Sequence, residues 1–224
     1  MEPEELLASD EAAVTHARHL SGYDTTRGTE PWAQTVSGRA VDFLTPHPRQ
    51  IDIVDIATAL ARLPRFNGHT VCAAPYSVAD HSLLVEALMP AAPAAMRLAA
   101  LLHDAHEAYT GDIISPMQIA IERLLPAGTS HPVKAIQRRL QRAIHSAFGL
   151  PWPLALEWQA AIKRADLLAL AIEKDTLMAP APAAWAPLPP IPDAAPRPRL
   201  RGALGGRTAF IEMAAALRAE AGLL

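Results

Sequence analysis

Apolar positions along this chain recur mostly at helical spacing. Between Asp52 and Ala61 they fall at Ile53, Ile56, Ala57 and Leu60, every third or fourth residue, which is one face of a helix. Asp52 stands where a cap or first-turn acid belongs, and Pro64 stops the segment. The same pattern predicts helices over Glu4–Leu20, Tyr76–Leu88, Ala94–Tyr109, Val133–Phe148 and Leu154–Met178, with a short amphipathic helix over Ala209–Ala221. Residues 21–50 are loop-like, with a short extended piece within Val36–Phe43. Arg65–Thr70 is a polar loop, and Thr129–Pro132 is a break. Eight prolines between Pro180 and Pro198 forbid helix and predict an extended segment lying along the surface. Hardly any stretch alternates with period two. The predicted class is therefore all-α, a helical bundle.

One predicted helix runs from apolar residues straight into ionisable ones. Ala99, Leu101 and Leu102 are followed by His103, Asp104, His106 and Glu107. On a continuous helix His103 and Glu107 share a face, and Asp104 is offset from His103 by about 100°. Imidazole with carboxylate is a ligand set for a borderline divalent metal. Burying such groups uncompensated costs several kcal/mol, so their apolar flank argues for a partner. Gly111 is expected to stop the helix and let Asp112 fold back.

Two further residues belong with this cluster. His81 lies among Val78, Leu84, Val85 and Leu88, and Asp166 lies within the apolar pattern of Ile162, Leu167, Leu170 and Ala171. Alone, the first is an ordinary core histidine and the second an ordinary carboxylate paired with Lys163 or Arg164. Together with His103 and Asp104 they bring two imidazoles and two carboxylates from three predicted helices. Bundle interiors assemble metal sites in that way. His69 and His106 are extra imidazoles, and His106 is expected to face outward on the far side of its helix. Lys134, Arg138, Arg139 and Arg142 form a solvated basic face.

Composition narrows the partners. With 224 residues, 50% hydrophobic and 19% charged, the chain is globular and long enough for one sizeable core. A net charge of −3 gives no electrostatic case for nucleic acid. The apolar run Ala87–Leu102 is interrupted by Pro90, Pro93 and Arg97, so no membrane span is expected. A lone Cys72 and an acidic start without an apolar core predict a cytoplasmic protein.

The order His81, His103-Asp104, Asp166 resembles the HD-domain superfamily of metal-dependent phosphohydrolases. Tyr76-Ser77-Val78-Ala79-Asp80-His81-Ser82 and the run from His103 to Ile113 are similar to the branch holding the 5′-deoxynucleotidase YfbR and the dATP-hydrolysing enzyme DatZ. So is Arg65-Phe66-Asn67-Gly68-His69-Thr70, and Thr110-Gly111-Asp112 is the most specific part. The resemblance covers roughly residues 36–178, which makes them the HD phosphohydrolase domain. Residues 1–35 are then an N-terminal helix and loop, and 179–224 a proline-rich segment and C-terminal helix packed on the domain.

The resemblance implies one divalent ion, cobalt, manganese or zinc, held by His81, His103, Asp104 and Asp166. It implies Glu107 and Asp112 as the acid/base carboxylates near the attacking water. Arg65 would clamp the phosphate, Phe66 would line the nucleoside side, and His69 joins these substrate-binding residues. The implied substrate is a nucleotide, a monophosphate or a triphosphate cut stepwise, and the implied assembly is a homo-oligomer. Gln118 departs from the pattern, since many relatives place a lysine there, and one expected phosphate contact goes with it. No adjacent His-His pair follows His103-Asp104, which argues against the two-metal cyclic-di-GMP type. Two alternatives stay open: a (p)ppGpp-type pyrophosphohydrolase using the same four ligands, and a non-catalytic helical module with a structural metal.

Overall fold

A computed structural model of the chain describes residues 31–126 and 128–223. The helix expected over Glu4–Leu20 lies outside them. Among the described residues the fold is all-α, a bundle of eight helices beside one small antiparallel pair, β1 (Trp32–Gln34) and β2 (Ala40–Asp42). β2 falls inside the extended piece expected at 36–43, and β1 precedes it. No described helix is long and apolar enough to cross a membrane.

Side-chain caps open three of the eight described helices. The Asp52 carboxylate accepts from the Val54 N–H at 2.8 Å and opens α1 (Ile53–Arg62), satisfying one of the orphan donors of a first turn. Ser77 does the same for α2 (Val78–Ala87), accepting from the Asp80 N–H at 3.1 Å. α2 is buried from Val78 to Glu86, as a helix does that is surrounded by others. The remaining helices are α3 (Ala94–Leu101), α4 (Glu107–Thr110), α5 (Ser115–Leu124), α6 (Pro132–Ala147), α7 (Leu156–Leu177) and α8 (Gly202–Glu220). The core runs through Ile56 and Leu60 of α1, Leu84 and Val85 of α2, Leu98 and Leu101 of α3, and Leu140 and Ile144 of α6.

The structure corrects the sequence reading at three places. First, Ala94–Tyr109 is not one helix. α3 stops at Leu101, residues 102–106 form turns, and α4 begins at Glu107. His103 Nδ1–H donates to the Ala100 carbonyl at 2.9 Å, an acceptor that a continuous helix would use for the Asp104 N–H. The backbone tightens to the three-residue spacing Ala105 N–H to Leu102 O at 3.1 Å.

Second, the C-terminal helix is not short. α8 starts at Gly202 and has 19 residues. Gly205 and Gly206 hide its start, because glycine is a poor helix former. Gly206 permits close approach: a Cβ there would stand 3.4 Å from the Ala61 Cβ and 3.7 Å from the Ser77 Oγ. Phe210, Ala214 and Leu217 join the same core cluster as α1–α3. Arg201 Nη1 pairs with Asp80 Oδ1 at 2.8 Å, and Arg207 Nε donates to Thr58 Oγ1 at 3.0 Å. We expect Gly206→Leu to destabilise the fold by about 1–3 kcal/mol through overpacking. A lower urea midpoint at unchanged slope would show it.

Third, Ser115–Leu124 is helical, although the sequence pattern did not mark it as such; none of its residues is buried. The proline-rich stretch behaves as expected, with no regular element from 179 to 200. It runs back along α7, where Lys174 lies 5.8 Å from the Trp185 ring and Arg197 lies 3.9 Å from Asp175.

Candidate metal centre

Three parts of the chain meet at one point. α2 supplies His81, the turn after α3 supplies His103 and Asp104, and α7 supplies Asp166. His81 Nε2 lies 3.3 Å from His103 Nε2 and 3.4 Å from Asp166 Oδ1, and His103 Nε2 lies 3.9 Å from Asp166 Oδ1. Ligands about 2.1 Å from a tetrahedral ion stand about 3.4 Å from one another. Among the described residues, His81, His103 and Asp166 can hold a metal ion, their ligand atoms all lying within 4.8 Å of one another. Asp104 is not part of that group, though its Oδ2 reaches to 3.0 Å from His103 Nε2 and 3.6 Å from His81 Nε2. Asp104 also faces Arg65 Nη1 at 3.8 Å.

The outer contacts of the two imidazoles fit a metal. His81 Nδ1 lies 2.6 Å from Glu173 Oε1, and His103 Nδ1 lies 2.9 Å from the Ala100 carbonyl. Each acceptor fixes the proton on Nδ1 and frees the Nε2 lone pair, the arrangement that orients metal-bound histidines. Two ring nitrogens facing each other at 3.3 Å need a proton or a metal ion between them. The carboxylates show the same demand. Burial and Arg65 oppose charging His81, yet Glu173 and Asp166 outweigh them and raise its pKa to about 9. Against burial, His103 and His81 hold Asp104 well below the usual carboxylate range. Asp166 is likewise lowered against burial, by His81 and His103. Its other oxygen pairs with Lys163 at 2.8 Å, so the ordinary partner and the imidazole contact hold at once.

Glu173 was missed from the sequence. It is fully buried and accepts from Arg65 Nε at 3.2 Å, the Tyr76 hydroxyl at 3.0 Å and His81 Nδ1 at 2.6 Å. It follows Asp166 by seven residues on α7, two turns along the same face; that spacing was the available signal. Glu173→Ala would leave a half-buried arginine and a buried histidine short of their counter-charge, and we expect a loss of about 3–5 kcal/mol in chemical denaturation. Glu173→Gln keeps the shape and is expected to weaken metal affinity about 10–100-fold, read by equilibrium dialysis.

Around this centre the other expected residues fall unevenly. Arg65 opens a turn over Arg65–Gly68 in which Phe66 and Asn67 have φ of 55° and 52°. For a bulky residue such as Phe66 that conformation is strained. The Arg65 guanidinium lies 5.4 Å from the Phe66 ring, and Glu173 and Asp104 hold it charged against burial. Glu107 is buried, and its Oε2 has no hydrogen-bond partner among the described residues. Burial, with Asp104 and Asp112 nearby, pushes its pKa up to about 10. Asp112 is half-buried and also raised, by burial first, with Arg65 opposing. It follows Gly111, whose φ of +78° ends α4 as a left-handed residue.

His69 makes no contact with the metal group. It is exposed at the end of the Arg65–Gly68 turn, without a side-chain hydrogen bond or ion pair among the described residues. His106 does not face outward as expected. It is half-buried, and its Nδ1–H donates to Gln141 Oε1 on α6 at 3.2 Å. The break after α3 rotates it inward. Gln118 donates to the Ile113 carbonyl at 2.8 Å and so braces the turn after Asp112.

No family model matches the chain. It is 41% identical over 150 residues to the uncharacterized protein RCAP_rcc00048 of Rhodobacter capsulatus, covering 65% of this chain and 72% of that one. It is 35% identical over 144 residues to the uncharacterized protein YfdR of Escherichia coli, covering 64% of this chain and 71% of that one.

Proposed function

We propose that this chain, which belongs to the family of RCAP_rcc00048 and YfdR, is a metal-dependent phosphohydrolase that releases phosphate from deoxynucleotides or nucleotides. The observation that carries the reading is the meeting of His81, His103 and Asp166 beside a half-buried arginine and a buried carboxyl oxygen without a hydrogen-bond partner among the described residues. A divalent ion at that group, cobalt, manganese or zinc, would polarise a phosphoryl oxygen and lower the pKa of a water. The rest falls to the chain's own side chains. Arg65 gives its Nε to Glu173 and faces Asp104 with Nη1 at 3.8 Å; its guanidinium fork would turn its terminal nitrogens to phosphate oxygens. Glu107 handles the proton: water forms the new P–O bond, the ester P–O bond breaks, and the leaving oxygen takes a proton. Asp112 supplies a second carboxylate within electrostatic reach of Arg65 and Glu107. In this reading the protein works in the cytoplasm, where Cys72 stays reduced, as a dimer or larger assembly.

The test is phosphate release from nucleoside mono-, di- and triphosphates with Mn²⁺ or Co²⁺, and with a chelator. Release from deoxynucleoside monophosphates, or stepwise from triphosphates, that stops with chelator and returns with metal is the expected result. Release from the guanosine alarmone alone would replace the proposal with a pyrophosphohydrolase. No release from any of them would leave a structural metal site.

A further inference from the structure

A cavity opens beside the metal group, on the side of α6 and α7. It measures about 210 Å³ and shares His103 and Asp166 with that group. Ala99, Leu154 and Ile162 line it with apolar surface, and Trp152 and Gln159 stand at its mouth. Its volume is below the roughly 300–1,000 Å³ of pockets that enclose a whole drug-sized ligand. It has room for one ring system.

The polar groups along its wall are already used. His106 Nδ1–H donates to Gln141 Oε1 at 3.2 Å, and Gln141 Nε2 donates to the Leu102 carbonyl at 2.7 Å and to His145 Nε2 at 3.1 Å. His145 Nδ1–H donates in turn to the Pro151 carbonyl at 3.1 Å. This chain locks the His145 ring, which meets Trp152 edge to face at 5.1 Å and 87° and so holds the indole in place. The ammonium of Lys163 is spent on Asp166 at 2.8 Å. A cavity with an apolar floor, a fixed indole and no unspent charge suits a flat, uncharged heteroaromatic ring and not a second phosphate.

We infer that this cavity seats the nucleobase of the substrate, with Trp152 and Ile162 as the residues that select for it. The inference rests on the phosphohydrolase reading. It moves the base from Phe66, where the resemblance puts it, to a cavity that His103 and Asp166 border and Phe66 does not. Phe66 and Arg65 line no part of this cavity.

The experiment compares kcat/KM for deoxynucleoside monophosphates with that for deoxyribose 5-phosphate, which lacks the base. In Trp152→Ala and in Ile162→Trp, which fills the cavity, the ratio is expected to fall roughly 5- to 100-fold, the usual worth of stacking one base. Trp152 is 39% exposed, so its replacement is the milder change and stands should the bulkier one fail to fold. A ratio unchanged in Trp152→Ala, or lowered only in Phe66→Ala, overturns the assignment. Should the wild type cleave neither ester, the phosphohydrolase reading fails by itself. Calorimetric titration of the full chain with deoxynucleosides then decides the seat. Saturable binding lost in Trp152→Ala supports it, and no saturable binding, or binding indifferent to that change, overturns it.

Discussion

His81→Ala is expected to strip the protein of metal and stop turnover. His81 Nε2 is the nearest common neighbour of His103 and Asp166, at 3.3 and 3.4 Å. It is also wholly buried, so no water replaces it cheaply. Asp166→Ala should act alike. Asp104→Ala is expected to do so too, because its Oδ2 touches both imidazoles. Metal content after dialysis, measured by elemental analysis, gives the first readout. Thermal stability gives one that does not depend on turnover. An ion that binds only the native state at 100 times its Kd adds about 2.7 kcal/mol. Added Mn²⁺ should therefore raise the melting temperature of the wild type and leave that of His81→Ala where it was. Full metal occupancy in His81→Ala would remove the site on which the functional proposal stands.

Glu107→Gln is expected to keep the metal and lose about 10²- to 10⁴-fold in kcat, the usual worth of a positioned proton donor or acceptor. Glutamine has the same shape and fills the same space beside Asp104 and Asp112, but it cannot pass a proton. The prediction rests on placement. Glu107 opens α4 directly after the turn that carries His103 and Asp104, its N–H bonded to the Asp104 carbonyl at 2.9 Å. Its Oε2 is buried with nothing in the described residues to bond. Such an atom costs stability unless it has a use. A small gain in stability alongside the lost rate would fit that account. Undiminished turnover with metal in place would take Glu107 out of the chemistry.

The helices α1, α2, α6 and α7 were legible because their cause is local. Asp52 and Ser77 cap their own next turns, and Ile53, Ile56 and Leu60 share one face at 3.6-residue spacing. The candidate ligands were legible for a related reason: ionisable residues embedded in apolar runs need partners. The break after α3 was not legible. It depends on the His103 ring taking the Ala100 carbonyl, and that ring is aimed by the group it faces across the core. α8 was read too short because Gly205 and Gly206 are poor helix formers. Their merit, close contact with α1 and α2, exists only once those helices are in place.

By itself, the amino-acid order determined an all-α chain with a set of imidazoles and carboxylates embedded in apolar runs and an extended, surface-lying proline tract. Only the tertiary structure decided which of them meet. Residues 22 and 92 positions apart, His81 with His103 and His81 with Glu173, touch because three helices pack around one point. Periodicity carries no record of such distances, since it reports which face of a helix is buried and not what that face is buried against. Packing therefore turned His106 inward and made Glu173 the shared partner of Arg65, Tyr76 and His81.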